Sequence, residues 1–219
     1  MIEFANTAPA PDLEDVAFVA DWLAQQFLEP PDAARILAIQ GIQGQVAVHW
    51  IGSVLAQEEA ADAICRTLNA DTPEALAASL QRRHTQLFEG IFRQRSLPPY
   101  ASIWDGTGHL FGAAIDRTQE SLRALNVHID SSCPEPADHI SIQLVALAES
   151  LRQAQLGPAG ALLANLRAWM PRFATALIQL DGDGFHGQLG RLLIALPDRV
   201  ASLALSKVGL TASNDVERA

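Results

Sequence analysis

Residues 12–28 read Asp12-Leu-Glu-Asp-Val-Ala-Phe-Val-Ala-Asp-Trp-Leu-Ala-Gln-Gln-Phe-Leu28, followed by Glu29, Pro30 and Pro31. Val16, Val19, Leu23 and Phe27 recur at helical spacing and form one apolar stripe, and Asp12 after Pro11 is a residue type that caps a first turn. The proline pair ends the helix, and Asp32 then offers a cap for a second one running through Arg35–Gln40 to Gly41. The pattern continues outward from there. A third helix is expected from about Val46 to Arg66, with Trp50, Val54 and Leu55 on its apolar side, and a fourth from Thr72-Pro73 to Gly90. Helical spacing returns at Asp116–Leu125, and again in a segment with Pro136 in its first turn that runs through Gln155. A longer helix follows Gly157-Pro158, with a kink or break expected at Pro171, and a last one opens at Asp183-Gly184 with another break expected at Pro197.

No alternation is long enough to build a sheet, and no repeat of fixed period is present. The expected fold class is therefore all-α, a single-domain helical bundle over residues 12–206. An N-terminal arm at 1–11 and a flexible tail at 207–219 complete the expected organisation. Two stretches lack helical period: 93–112, with Pro98, Pro99, Gly106 and Gly108, reads as an ordered loop, and 128–139 as a second irregular connection.

A chain of 219 residues, 49% hydrophobic and 18% charged, is long enough to bury a large core. Two cysteines make no disulfide framework and fit a reducing compartment. The N-terminus has no basic segment followed by an apolar one, so no export signal is expected, and no apolar run is long enough to cross a bilayer. A cytoplasmic location is the expectation. The net charge of −10 resides in residues 1–75, where twelve acidic side chains face only Arg35 and Arg66. Such a surface repels phosphate backbones and anionic lipid, so nucleic acid and stable membrane insertion are not expected. It attracts basic peptides, and it also serves simply to keep an apolar chain soluble.

Most apparent chemical motifs fail. Gly106-Thr-Gly108-His-Leu-Phe-Gly112 has its third glycine one residue late for a dinucleotide fingerprint, and no strand precedes it. Asp181-Gly-Asp183-Gly184 lacks the later ligands of a calcium loop, and His128, Cys133 and His139 lack a fourth ligand for zinc. Arg82-Arg83 lies inside a helix and reads as a solvated basic face. The two irregular stretches remain. Pro98-Pro99-Tyr100-Ala-Ser-Ile-Trp104 places aromatic groups beside a rigid proline pair, and Glu135-Pro136-Ala-Asp138-His139 gathers three ionisable groups before an apolar helix. Glu135 and Asp138 suit a helix N-terminus, and Asp138 is positioned to cap or to hold the His139 ring. An Asp138–His139 acid/base pair would lack a nucleophile or an oxyanion donor to work with, so enzymatic activity is not expected.

Leu87-Phe88, P-P-Y-x-S-x-W at 98–104, E-P-x-D-H at 135–139 and W-M-P-R-F at 169–173, in that order on a helical chain, resemble the TorD/DmsD-type maturation chaperones of molybdoenzymes. Nitrate reductase chaperones are more distant relatives. The resemblance spans roughly residues 12–205. It implies an all-helical fold of the TorD-like type and a non-enzymatic role in the cytoplasm, without a cofactor of its own. The partner it implies is the twin-arginine leader, and the body, of a molybdenum-cofactor-containing catalytic subunit, whose export is delayed until the cofactor is inserted. Carried over residue by residue, Leu87, Phe88, Pro99, Tyr100 and Trp104 would line the leader groove, and Glu135, Pro136, Asp138 and His139 its polar end. Trp169, Pro171 and Phe173 would support the groove from the core. His84 stands where many relatives carry an aromatic residue. The competing expectation is a helical adaptor or assembly factor that binds a mature domain without reading a leader. Monomer and dimer are both compatible with the sequence.

Overall fold

Helix α1 (Leu13–Leu28) begins as its sequence predicts: the Asp12 carboxylate accepts from the Glu14 and Asp15 amides, and Asp15 returns the bond to the Asp12 amide in a reciprocal cap. Val16, Val19, Leu23 and Phe27 are all buried. The computed structural model describes residues 10–90, 96–105, 113–130 and 133–216, with side chains to residue 205. Most of the expected arm, and the glycine-rich stretch 106–112, lie outside the described residues. Helix α2 (Ala33–Gln40) is capped by Asp32. Helices α3 (Ile42–Leu55) and α4 (Glu58–Leu68) follow, then α5 (Pro73–His84), which runs into a π-helical turn at Thr85–Glu89. After the short α6 (Ala101–Trp104) come α7 (Ala113–Ala124), α8 (Ile140–Arg152), α9 (Leu156–Asp181) and α10 (Phe185–Val216). The architecture is all-α, and among the described residues no strand forms beyond one isolated bridge.

Three differences from the sequence reading have physical causes. The single helix expected from Val46 to Arg66 is two, because Ala56 adopts a left-handed conformation (φ 53°) and turns the chain. The Ala56 amide bonds back to Gly52 and Ser53, and the Gln57 amide to Gly52. The turn lays α4 against α3 so closely that a Cβ at Gly52 would stand 2.6 Å from the Ala61 methyl. Of the kink or break expected at Pro171 and the break expected at Pro197, neither break occurs: α9 and α10 continue through both prolines. A helix interior proline costs about 3 kcal/mol by itself, and here the packing of α9 along α10 and α8 outweighs it. The third difference is Pro136, which precedes α8 rather than opening it; His139 is the cap.

The core is one continuous cluster. Helix α1 packs along α8, α9 along α10, and the aromatic centre joins Phe27, Phe88, Trp169 and Phe173, with ring centroids 5.8–6.2 Å apart. An Arg152–Asp21 ion pair closes the α8 end onto α1, and Arg167 reaches both the Pro197 carbonyl and Asp198 across α9 and α10. Cys65 and Cys133 are free thiols. No helix among the described residues is long and apolar enough to cross a membrane.

The α9–α10 turn is held by Asp181. Its carboxylate accepts from the Gly187 amide at 2.9 Å and from Arg83 Nε at 2.6 Å. Arg83 is therefore a tie between α5 and the end of α9 rather than part of a solvated basic face, and Arg82 alone is exposed. A Cβ at Gly187 would stand 2.2 Å from the Gly182 carbonyl oxygen. The Gly187→Ala variant is expected to lose about 1–3 kcal/mol of stability, visible as a lower urea midpoint with an unchanged slope.

Candidate functional site

Residues 98–104 and 135–139 are far apart in sequence, yet the chain stitches them together. The Ala101 amide donates to the Asp138 carbonyl at 3.0 Å and the Ile140 amide to the Pro99 carbonyl at 2.9 Å, which makes Tyr100 and His139 an antiparallel bridge pair. Side chains reinforce the stitch. The Asp138 carboxylate accepts from the Ser102 amide at 3.0 Å, at the start of α6, and the Tyr100 hydroxyl donates to Glu135 at 2.8 Å. Trp104 donates its indole N–H to the Pro98 carbonyl at 2.8 Å. Together these bonds form a clasp.

Its local chemistry follows from the residue types. Pro98 and Pro99 have no backbone N–H to donate and keep the segment out of a helix, and their carbonyls accept from the indole and the Ile140 amide. His139 caps α8 through Nδ1, which accepts from the Ser141 amide at 3.2 Å, so the ring is neutral in this arrangement. Burial, set against the opposing effect of Asp138, pushes the His139 pKa down to about 4. Burial also raises the Tyr100 phenol above its ordinary range, with the Glu135 hydrogen bond adding to it. The two rings meet edge-on at 5.1 Å.

Under the clasp lies the aromatic core. Trp104 packs edge-on to Phe173 at 5.7 Å, and Phe173 touches Phe88 and Trp169. Leu87 and Phe88 are core residues without open surface, Pro99, Asp138 and His139 are buried, and Tyr100, Trp104, Glu135 and Pro136 are half-exposed. Trp169 and Phe173 are core as expected from the resemblance; Pro171 is on the exposed side of α9 and supports nothing beneath the clasp.

Two participants, Gln143 and the His186 partner of His84, are absent from the sequence reading. Gln143 is buried and donates to the Asp138 carbonyl at 2.9 Å while accepting from the Trp169 indole at 3.4 Å, so it couples the clasp to α9. Its signal was available: it is the polar exception in the apolar stripe Ile140, Leu144, Leu147, Leu151. The second is a histidine pair. His84 is buried edge-on against Phe88 at 4.8 Å and lies 6.0 Å from His186, which is fully buried. Burial lowers both pKa values, and among the described residues neither ring nitrogen of His186 has a hydrogen-bond partner. No group of three His, Cys, Asp or Glu side chains is arranged to hold a metal among the described residues.

The sequence that builds this arrangement has known relatives. The family model described as nitrate reductase delta subunit matches residues 55–177, which include Leu87-Phe88 and both halves of the clasp. The chain belongs to the nitrate reductase delta subunit family. Within that family it is similar to the chaperone protein TorD of Aeromonas salmonicida, 31% identical over 138 residues that cover 55% of this chain and 62% of the relative. The TorD of Vibrio cholerae (El Tor Inaba N16961) is 30% identical over 109 residues, 50% of its own length. The chain thus spans about half to two thirds of these two relatives. The TorD of Shewanella sp. ANA-3 is 24% identical over 186 residues, covering 82% of this chain and 88% of the relative. A solved structure from Archaeoglobus fulgidus, assigned to redox enzyme maturation, superposes with a TM-score of 0.51 at 21% identity. That likeness covers 86% of this chain and 96% of the other, and it establishes that this family member shares the fold.

Proposed function

We propose that this chain is a molybdoenzyme maturation chaperone that binds the twin-arginine leader of a molybdenum-cofactor-containing catalytic subunit. It holds the subunit back from export until the cofactor is inserted. The protein acts in the cytoplasm as a binding protein and performs no catalysis. The observation that carries the reading is the clasp, which presents half-exposed Tyr100, bonded to the Glu135 carboxylate, and half-exposed Trp104 on one hydrogen-bonded frame. A twin-arginine leader combines a basic pair with an apolar segment, and these groups match it: an anion for a guanidinium, aromatic faces for the apolar part. Leu87, Phe88, Pro99, Asp138 and His139 serve this surface from beneath, as the layer that fixes the clasp, and Pro136 shapes its edge.

The test is calorimetry with synthetic twin-arginine leader peptides of molybdoenzyme catalytic subunits from the source organism. One peptide is expected to bind. Glu135→Gln is expected to weaken it at least tenfold, about 1.4 kcal/mol, because a charge-assisted bond to arginine becomes a neutral one. Changing both arginines of the peptide to glutamine should reproduce the loss. Equal binding of all four combinations would refute the reading. Recovery of only leaderless partners from native extract would favour an adaptor that acts on a mature domain.

A further inference from the structure

Residues 36–57, from Ile36 to Gln57, include no Asp, Glu, Lys or Arg over 22 consecutive positions. They form the second half of α2 and all of α3. Helix α3 buries Val48, Ile51, Val54 and Leu55, yet part of its outer side is also apolar: Ile42 is 84% exposed and Val46 63%, with half-buried Trp50 one turn further. Exposed Gln43, His49 and Ser53 occupy the rest of the outer side, so the apolar surface is a stripe rather than the whole face. Phe18 of α1, 51% exposed and edge-on to Trp50 at 5.4 Å, extends the patch, and α2, which packs on α3, exposes Leu37 to 62%. Ile42, Val46 and Trp50 stand four residues apart, a stripe of roughly 12 Å along one helix face. Contiguous exposed apolar surface of this kind marks an interaction site.

Charge selects the occupant. Twelve acidic residues and two basic ones occupy residues 1–75, and α1, α2 and α3 are built entirely from that part of the chain. Glu14 is exposed one turn before Phe18, Asp21 lies one turn after it, and Asp62 of α4 pairs with His49 of α3 at 3.0 Å. The cations beside this face are both paired, Arg35 with Glu29 and Arg152 of α8 with Asp21, which leaves Glu14 as the open carboxylate next to Phe18. Two copies of this chain meeting through the patch would bring like charges together, and an anionic lipid surface would meet the same repulsion. We infer that the α1–α3 face is a docking site for a basic amphipathic helix of a partner protein, its apolar side on Ile42, Val46 and Trp50 and its Lys or Arg residues toward the acidic rim. None of these helices contributes a clasp residue, so this site is separate from the leader surface and does not rest on that reading.

The test uses the full chain and an 18-residue leucine–lysine peptide of helical period as probe, followed by fluorescence anisotropy. Its leucine–glutamate counterpart serves as the charge control. The lysine peptide is expected to bind, to lose affinity at least tenfold with Ile42→Ser/Val46→Ser, and to weaken as salt is raised. Both substituted side chains are largely exposed, so the variant should keep the wild-type melting temperature. Leu205→Ser, which removes an exposed leucine of α10, should leave binding unchanged. The inference is overturned if the double variant binds like wild type, if the glutamate peptide binds equally, or if Leu205→Ser loses as much. It is also overturned if light scattering shows a dimer that the double variant converts to monomer, because the face would then be covered by a second copy.

Discussion

Lowering the pH from 7 to 4.5 is expected to remove several kcal/mol of folding stability through two buried imidazoles. His139 has its pKa pushed down to about 4 by burial, and burial moves His186 in the same direction. In the unfolded chain both titrate near 6.5. Between those values the unfolded state binds protons that the folded state refuses, so stability is fully present above pH 6.5 and falls as pH approaches 4. For His139 alone the loss by pH 4.5 is roughly 2–2.5 kcal/mol, and His186 adds to it with the same sign. Opposing charges do not rescue the pair: Asp138 beside His139 and Asp181 beside His186 raise the pKa values, but less than burial lowers them. Urea titrations at pH 4.5, 5.5, 6.5 and 7.5 should show a falling midpoint, and His186→Phe should flatten the fall. His186 suits this substitution because it already stands among Phe88 and Phe185 and no hydrogen bond to it is made by the described residues. A profile equally steep in that variant would place the acid lability elsewhere.

Much of this fold was legible in the sequence because its helix ends are written in local chemistry. Asp12, Asp32 and Thr72 cap the helices their positions announce, and Pro30-Pro31 ends the first. What was not legible depends on distant packing. Ala56 takes a conformation that glycine usually supplies, and no neighbouring residue signals it; the close approach of Gly52 to Ala61 supplies the reason. Pro171 and Pro197 are strong local breakers, yet α9 and α10, packed along each other, continue through them.

The candidate site divides the same way. Its motifs were visible as irregular stretches, but their pairing was not, since a bridge between Tyr100 and His139 has no local signature. Nor did the sequence separate its buried members from its open ones. Leu87, Phe88 and His139 read like contact residues, whereas the fold uses them to support the few side chains at the surface. Residues in one motif thus divide into a frame and a face. Family resemblance selects both, and only burial separates them.

That distinction makes Asp138 the most informative single substitution. Its side chain is fully buried and one carboxylate oxygen holds the Ser102 amide at 3.0 Å, while its carbonyl receives Ala101 and Gln143. Asp138→Ala leaves the backbone bonds possible but strands the Ser102 amide away from water. Removing a buried hydrogen bond to a charged group costs about 1.5–3 kcal/mol, and the space vacated adds to it. The expected loss is therefore on the order of 3 kcal/mol, large against a domain stability of roughly 5–15 kcal/mol. Asp138→Asn keeps an amide oxygen for Ser102 and should lose less than half as much. The functional consequence separates frame from face. If Asp138 positions the clasp, Asp138→Ala should weaken leader binding together with faster hydrogen exchange at the Ser102 amide, and Asp138→Asn should restore both. If its carboxylate contacted the leader arginines directly, Asp138→Asn would keep slow exchange and still lose binding. Glu135→Gln is expected to show that second pattern, binding lost with exchange unchanged, because its carboxylate is half-exposed and its hydrogen bond to Tyr100 survives as an amide contact.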